Sequence, residues 1–399
     1  MRVLLVSWEY PPVIEGGLAR HVRELSEHLV EEGVEVHVLS RSGGHLPAEE
    51  VRHGVVVHRV REPEFPREVN AFVRWVDGMN ADMYELGVGL CEQLEFDLVH
   101  SHDWLVAEVA ERLADRVGCP WLVTVHATEF GRHQGWVSNY PQSHIHSVER
   151  RMVAAADRVI TCSHYMRGHV ATVLAAPLER ITVIPNAVDQ CDLEPAVDRR
   201  ELRARFARPF ERLVLLVGRL VYEKGFHLAL DALAQVVDRV DGVRFVVAGS
   251  GTAEAELREQ ARRLGLMRHG SFLGWVGDDM LHSLYRIAEI TIVPSIYEPF
   301  GLVALEAMAC GSLCIVADTG GLREVVPGDG TVGLRFRSHD SAALGEVLAQ
   351  ILTDDLARAK LVSEAREHVL GFDWAEVARR TREVYLELVE AGASFAVDP

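Results

Sequence analysis

The stretch Leu213-Val-Leu-Leu-Val217-Gly218-Arg219-Leu-Val-Tyr-Glu-Lys224-Gly225 decides how the chain is read. Five consecutive apolar residues suit a strand buried on both faces, and the glycine after them ends it. Two cations, Arg219 and Lys224, then follow between flanking glycines. A solvated basic loop is the plain alternative. Of the 41 basic residues, however, only Lys224 and Lys360 are lysines. A lysine kept in so arginine-rich a chain points to a compact charge where a guanidinium fork would not fit. Lys360 sits in a charged helical run and carries no such meaning. The loop therefore reads as a phosphate-binding connection at the carboxyl edge of a buried strand.

Outward from that strand the same pattern repeats. Apolar runs at Val3–Val6, Val34–Leu39, Val55–Val60, Asp97–His100, Trp121–Val125, Val159–Thr161 and Ile181–Ile184 read as strands in the first half. Leu213–Val217, Val243–Ala248, Ile290–Val293 and Leu313–Val316 continue the series in the second. Helical periodicities such as Val22, Leu25 and Leu29 lie between them. Apolar strands alternating with helices imply parallel sheets covered on both faces, the doubly wound α/β class. The series restarts after Pro185-Asn186-Ala-Val-Asp189, and the aperiodic stretch near 186–200 reads as a linker. Two Rossmann-like domains are expected, 1–188 and 200–372, facing a central cleft. The amphipathic C-terminal helix, 373–391, is expected to join the first domain, and Ala391–Pro399 reads as a frayed tail.

Composition narrows the partners. The chain has 399 residues, 48% of them hydrophobic, enough for roughly two domains. Nothing in a net charge of −18 suggests a nucleic-acid stripe, so a phosphate site must be a local basic island. No window approaches a membrane span, and six scattered cysteines without a Cys-x-x-Cys pair suggest neither a disulfide framework nor a zinc ribbon. These features read as a cytoplasmic protein with no nucleic-acid partner and no stable membrane insertion.

Three further constellations could carry chemistry. Gly16 and Gly17 lie between the first strand and a helix beginning near Leu18, where backbone amides can approach an anion. They do not form a Gly-x-Gly-x-x-Gly fingerprint, which disfavours a nicotinamide site. Asp103 and Trp104 follow one strand and His126 follows another, so both sets belong to carboxyl edges. In Ser295-Ile-Tyr-Glu298-Pro299-Phe-Gly301-Leu302-Val-Ala-Leu-Glu306, Pro299 is expected in the first turn of a helix whose positive end exposes the amides of Gly301 and Leu302. Eight residues along a helix would hold Glu298 and Glu306 about 12 Å apart. Retaining glycosidases need carboxylates about 5–5.5 Å apart, so hydrolysis is disfavoured. Two carboxylates flanking an anion-binding helix end fit a sugar at one end, a ribose at the other and a diphosphate between.

Taken together these residues resemble the retaining glycosyltransferases of family 4, with the GT-B fold, over essentially the whole chain. The Glu-x7-Glu pattern at Glu298 and Glu306 is the most specific element. Arg219 with Lys224, Gly16-Gly17, His102-Asp103-Trp104 and Pro185-Asn186 agree with it. Within that family, Val6–Pro12 and His126–Ser138 are most similar to actinobacterial α-1,4-glucan glucosyltransferases. Glycogen synthases of the neighbouring family carry Lys-x-Gly-Gly-Leu; here Ile14 stands at the lysine position, which sets this chain outside that family.

The resemblance implies glucose transfer from UDP-glucose or ADP-glucose to an oligo- or polysaccharide acceptor. It implies catalytic roles for His126, Arg219, Lys224 and Glu298, and donor binding by Gly16, Gly17, Asp103, Gly301, Leu302 and Glu306. No cofactor and no metal are expected, because two cations and a helix end suffice for a diphosphate. Alternatives are another acceptor (glucose, a lipid-linked sugar or a polyol), a nucleotide-sugar epimerase of the same fold, or a non-catalytic sugar-nucleotide sensor.

Overall fold

The computed structural model describes residues 1–44, 46–62, 65–66, 69–188 and 198–395. Most of the 186–200 linker stretch, including Asp189, lies outside the described residues. The chain divides into two compact units, Met1–Asn186 with Trp374–Pro399, and Ala187–Asp373.

The first unit is built on an eight-stranded sheet. Its strands are β1 (Arg2–Val6), β2 (Glu35–Arg41), β3 (Glu49–Arg52), β4 (Val55–Val60), β5 (Leu98–His102), β6 (Trp121–Val125), β7 (Arg158–Thr161) and β8 (Ile181–Val183). The spatial order is β3-β4-β2-β1-β5-β6-β7-β8, parallel except for the β3–β4 hairpin. In β1, Val3, Leu4, Leu5 and Val6 are all fully buried. Each such side chain contributes about 1.5–3 kcal/mol relative to exposure, which is why the strand reads as one apolar run.

The second unit has six parallel strands: β9 (Arg212–Val217), β10 (Val243–Ala248), β11 (Gly270–Gly274), β12 (Ile290–Val293), β13 (Leu313–Ala317) and β14 (Leu334–Phe336). Their order is β11-β10-β9-β12-β13-β14, with β9 and β12 adjacent in the middle. The strand order reverses beside β9, so the loops after β9 and β12 leave the sheet at a topological switch point, where doubly wound folds bind ligand. Both units are Rossmann-like.

Helices cover these sheets by their apolar stripes. The helix Gly17–Glu31 buries Ala19, Val22, Leu25 and Leu29, and among them His21. The C-terminal helix Trp374–Phe395 belongs to the first unit. It buries Trp374, Val377, Ala378, Val384, Tyr385 and Leu388. Arg380 donates to the Val183 carbonyl at 2.6 Å, and the Tyr385 hydroxyl lies 2.7 Å from His100 Nδ1. The helix continues through Phe395, so the first part of the expected tail is helical and only its last four residues lie outside the description.

Candidate active site

In the second unit the site grows from two neighbouring strand ends. After β9 the chain passes Gly218 and Arg219, makes a short 3-10 turn over Tyr222–Lys224, and enters the helix Phe226–Val237 at Gly225. Gly225 has φ +67°, and a Cβ there would stand 2.0 Å from the Pro294 carbonyl oxygen. Only glycine permits that approach. The two loops are stitched together by the Glu223 carbonyl, which accepts from the amides of Ile296 at 2.8 Å and Tyr297 at 3.2 Å.

This stitching brings Lys224 to Glu298. The ammonium Nζ donates to Glu298 Oε2 at 2.8 Å, and the Ser295 hydroxyl donates to the same oxygen at 2.9 Å. Glu298 is buried and Lys224 half-buried, so this pair is shielded more than a surface ion pair. Arg219 is more exposed, 3.8 Å from Glu223.

Helix position differs from the sequence expectation. The helix spans Leu302–Ala309 with Gly301 at its N-cap (φ +122°), so Pro299 precedes the helix and does not form its first turn. The Gly301 carbonyl accepts from the amides of Ala304 at 3.0 Å and Leu305 at 3.3 Å, so the amides of Gly301 and Leu302 stand ahead of the intrahelical ladder. A second consequence concerns the carboxylates. Glu298 is on the loop and Glu306 inside the helix, so the helical spacing assumed between them does not apply. Glu306 is buried and accepts from the Tyr285 hydroxyl at 2.9 Å.

In the first unit three strand ends contribute. After β1, burial pushes the Glu9 carboxyl up to about 7. That carboxyl accepts from the Glu15 amide at 2.5 Å, just before Gly16. The Glu15 carboxylate is in turn bound by Arg41 at 2.6 Å, and Arg41 also donates to the Trp8 carbonyl. Gly16 itself is extended, and a Cβ there would meet nothing within 4 Å. Gly16 therefore leaves open space at the start of the helix Gly17–Glu31.

After β5, Asp103 adopts φ 60° and ψ 178°, a region that only glycine enters without strain. Its Oδ1 accepts the His126 amide at 2.7 Å across the β5–β6 edge. Burial raises the Asp103 carboxyl to about 6, opposed by the Arg132 charge and by backbone amides. Trp104 is buried behind it against Phe72. Burial, with the Arg132 charge, lowers the His126 imidazole to about 3 and keeps it neutral.

His126 does not stand alone. Its Nε2 lies 3.1 Å from His102 Nδ1, and its ring is 4.5 Å from the His21 ring at 76°. Trp374 packs edge-on against His21 at 5.3 Å. Burial holds His21 and His102 well below the usual imidazole range. Nitrogens of His21, His102 and His126 lie within 4.8 Å of one another, a spacing that could hold a metal ion. The sequence assigns no role to His21, one position on an apolar helical stripe, or to Tyr285, and it places Glu9 and Ser295 only inside motif stretches, without a role of their own. His102 stands in the sequence only as part of the His102-Asp103-Trp104 motif.

The structure thus gathers Lys224, Glu298, Gly301, Leu302 and Glu306 on the second unit, with Arg219 on the same loop as Lys224. It gathers Asp103 and His126 on the first, and Gly16 and Gly17 on a separate strand end of that unit. Two Rossmann-like units, one with a cation–carboxylate loop pair at its switch point, have the architecture of the GT-B class of sugar-nucleotide enzymes. Models of known families agree: residues 15–190 match "Glycosyltransferase Family 4" and residues 198–368 match "Glycosyl transferases group 1". The chain is 39% identical to the glycogen synthase of Mycobacterium tuberculosis, an alignment covering 97% of this chain and 94% of that protein. It is 32% identical to a D-inositol 3-phosphate glycosyltransferase of Corynebacterium jeikeium, covering 98% of each. Among solved structures, the sucrose-phosphate synthase of Thermosynechococcus elongatus superposes with a TM-score of 0.82 at 25% identity, covering 98% of this chain and 99% of that one. The chain belongs to glycosyltransferase family 4 and is an enzyme of sugar transfer from a nucleotide sugar to an acceptor. No described helix is long and apolar enough to cross a membrane.

Proposed function

We propose that the protein is a retaining glucosyltransferase that extends an α-1,4-glucan or maltooligosaccharide from UDP-glucose or ADP-glucose. The observation that carries the reading is the Lys224–Glu298 pair at 2.8 Å beside the Gly301–Leu302 helix end. A diphosphate competes with Glu298 for the ammonium, and a sugar's hydroxyls then replace the ammonium at Glu298. The glycogen synthase relative, at 39% identity against 32% for the inositol phosphate enzyme, favours a glucan acceptor.

In the transfer, the bond between the anomeric carbon and the diphosphate oxygen breaks, and its electron pair stays on the phosphate. Arg219, Lys224 and the amides of Gly301 and Leu302 stabilise that growing charge. Glu306 accepts from the ribose hydroxyls and Glu298 from the sugar hydroxyls. The acceptor hydroxyl forms its bond on the face the phosphate leaves, and its proton passes to the leaving phosphate oxygen. Neutral His126 borders the reacting carbon without adding a positive charge where positive charge develops. Asp103 holds the His126 backbone and lies near the sugars, and Gly16 and Gly17 leave room for the donor. This chemistry asks for no metal.

Nucleotide release from UDP-glucose and from ADP-glucose, each with and without maltooligosaccharide, tests the reading. Release that depends on the acceptor is expected with one donor preferred. Release without any acceptor dependence, or none from either donor with folded protein, would remove it.

A further inference from the structure

The connection from β6 to the helix Gln142–Ala155 carries features the transfer chemistry leaves unused. It begins at His126, forms the short helix Glu129–Arg132, and returns through a tight turn. That turn is tied down at several points. Gly135 donates to the Phe130 carbonyl at 2.8 Å, Trp136 to His133 at 2.9 Å and Ser143 to Asn139 at 2.8 Å. Gln134 and Gly135 are both left-handed, with φ 50° and 90°. The helix before the turn is capped by Thr128 and anchored by the Glu129 amide on buried Glu149 at 2.7 Å.

On this rigid turn Trp136 is 82% exposed, and Tyr140 is 52% exposed four residues later. Gln134, Ser138 and Asn139 around them are exposed and polar, while Val137 between them is half-buried. An apolar protein partner would want a contiguous patch, which the polar residues interrupt. A pyranose ring instead offers an apolar C–H face rimmed by hydroxyls, matching an aromatic face beside amides and a hydroxyl. A rigid aromatic also binds with little entropy left to lose.

We propose that Trp136 and Tyr140 form a binding platform for the neutral α-1,4-glucan chain, each ring stacking on a glucose unit of the acceptor. This rests on the glucan-acceptor reading. The platform gives the enzyme its preference for chains over short acceptors, while the donor site keeps its own affinity.

The test compares wild type with Trp136→Ala, Trp136→Phe and Trp275→Ala, the last removing a tryptophan that is 71% exposed on the second unit. Mobility is measured in native gels containing glycogen, and KM for maltoheptaose and for the nucleotide sugar is measured by nucleotide release. For Trp136→Ala, loss of glycogen retardation and a rise of about tenfold in maltoheptaose KM are expected, the size of a well-packed aromatic contact. Its donor KM and its kcat at saturating acceptor should match wild type, as should every property of Trp275→Ala. Trp136→Phe should recover most of the retardation. A Trp136→Ala protein with unchanged retardation and KM would overturn the platform and leave the transfer reading standing. Wild type that neither binds glycogen nor transfers to maltoheptaose would overturn the glucan reading and the platform with it.

Discussion

Replacing Asp103 by glycine and, separately, by alanine isolates the backbone strain from the hydrogen bond at this position. Asp103 sits at φ 60°, ψ 178°, where a non-glycine residue costs about 1–3 kcal/mol. Alanine keeps that cost, and glycine removes it. Glycine gives back about 0.4–1 kcal/mol through the freedom of its unfolded chain. Both variants lose the acceptor of the His126 amide at 2.7 Å, a bond to a charged group worth about 1.5–3 kcal/mol. That loss cancels in the comparison. Asp103→Gly should therefore be more stable than Asp103→Ala by about 0.5–2 kcal/mol. For a unit of this size, the gap corresponds to a melting temperature higher by about 1–8 °C. Scanning calorimetry of the two variants in the same buffer reads it directly. Both variants should transfer sugar poorly, since neither holds the His126 backbone. If Asp103→Ala melts at or above Asp103→Gly, the backbone at Asp103 is not strained and the reasoning fails.

Other expectations concern the two units separately. Lys224→Ala should lower kcat by about 100-fold or more, the scale of losing one charge-stabilising donor, with a much smaller change in melting temperature; equal losses of activity and stability would contradict its role. Glu306→Ala should weaken free nucleotide binding by about tenfold in a calorimetric titration, and unchanged affinity would exclude a ribose contact. Glu9 offers a pH test. Burial raises it from 4.5 to about 7, so the fold favours its protonated form; that stability is complete below pH 4.5 and is lost as pH rises through 7. From pH 5 to pH 7 wild type should lose about 2 kcal/mol relative to Glu9→Gln in urea unfolding. Parallel pH profiles for the two proteins would show that Glu9 titrates normally.

Much of the architecture was legible because a strand buried on both faces must be apolar throughout. β4, β6, β10 and β12 have the same bounds in the sequence reading and in the structure. The strands that escaped reading lack that constraint. β3, Glu-Glu-Val-Arg, is an edge strand with no buried residue. β11 and β14 are also edges, with glycines at both ends of one and an arginine at the centre of the other. Pro299 misled for a related reason: its fixed φ suits a first helical turn, but φ +122° at Gly301 turns the chain and starts the helix three residues later.

The sequence by itself determined the fold class, the cations of the β9 loop, the acidic pair and the family resemblance. These signals are local: a run of apolar residues, a spacing within one loop, a glycine at a strand end. Only the tertiary structure decided what those groups touch. Lys224 and Glu298 are 74 positions apart and meet because β9 and β12 are neighbours in the sheet. His21, His102 and His126 come from a helix and two strand ends, and Trp374 reaches His21 only because the last helix belongs to the first unit. Such contacts depend on strand order and on which face a helix covers. Strand order and helix docking follow from burial summed over a whole unit, which no short stretch of sequence contains.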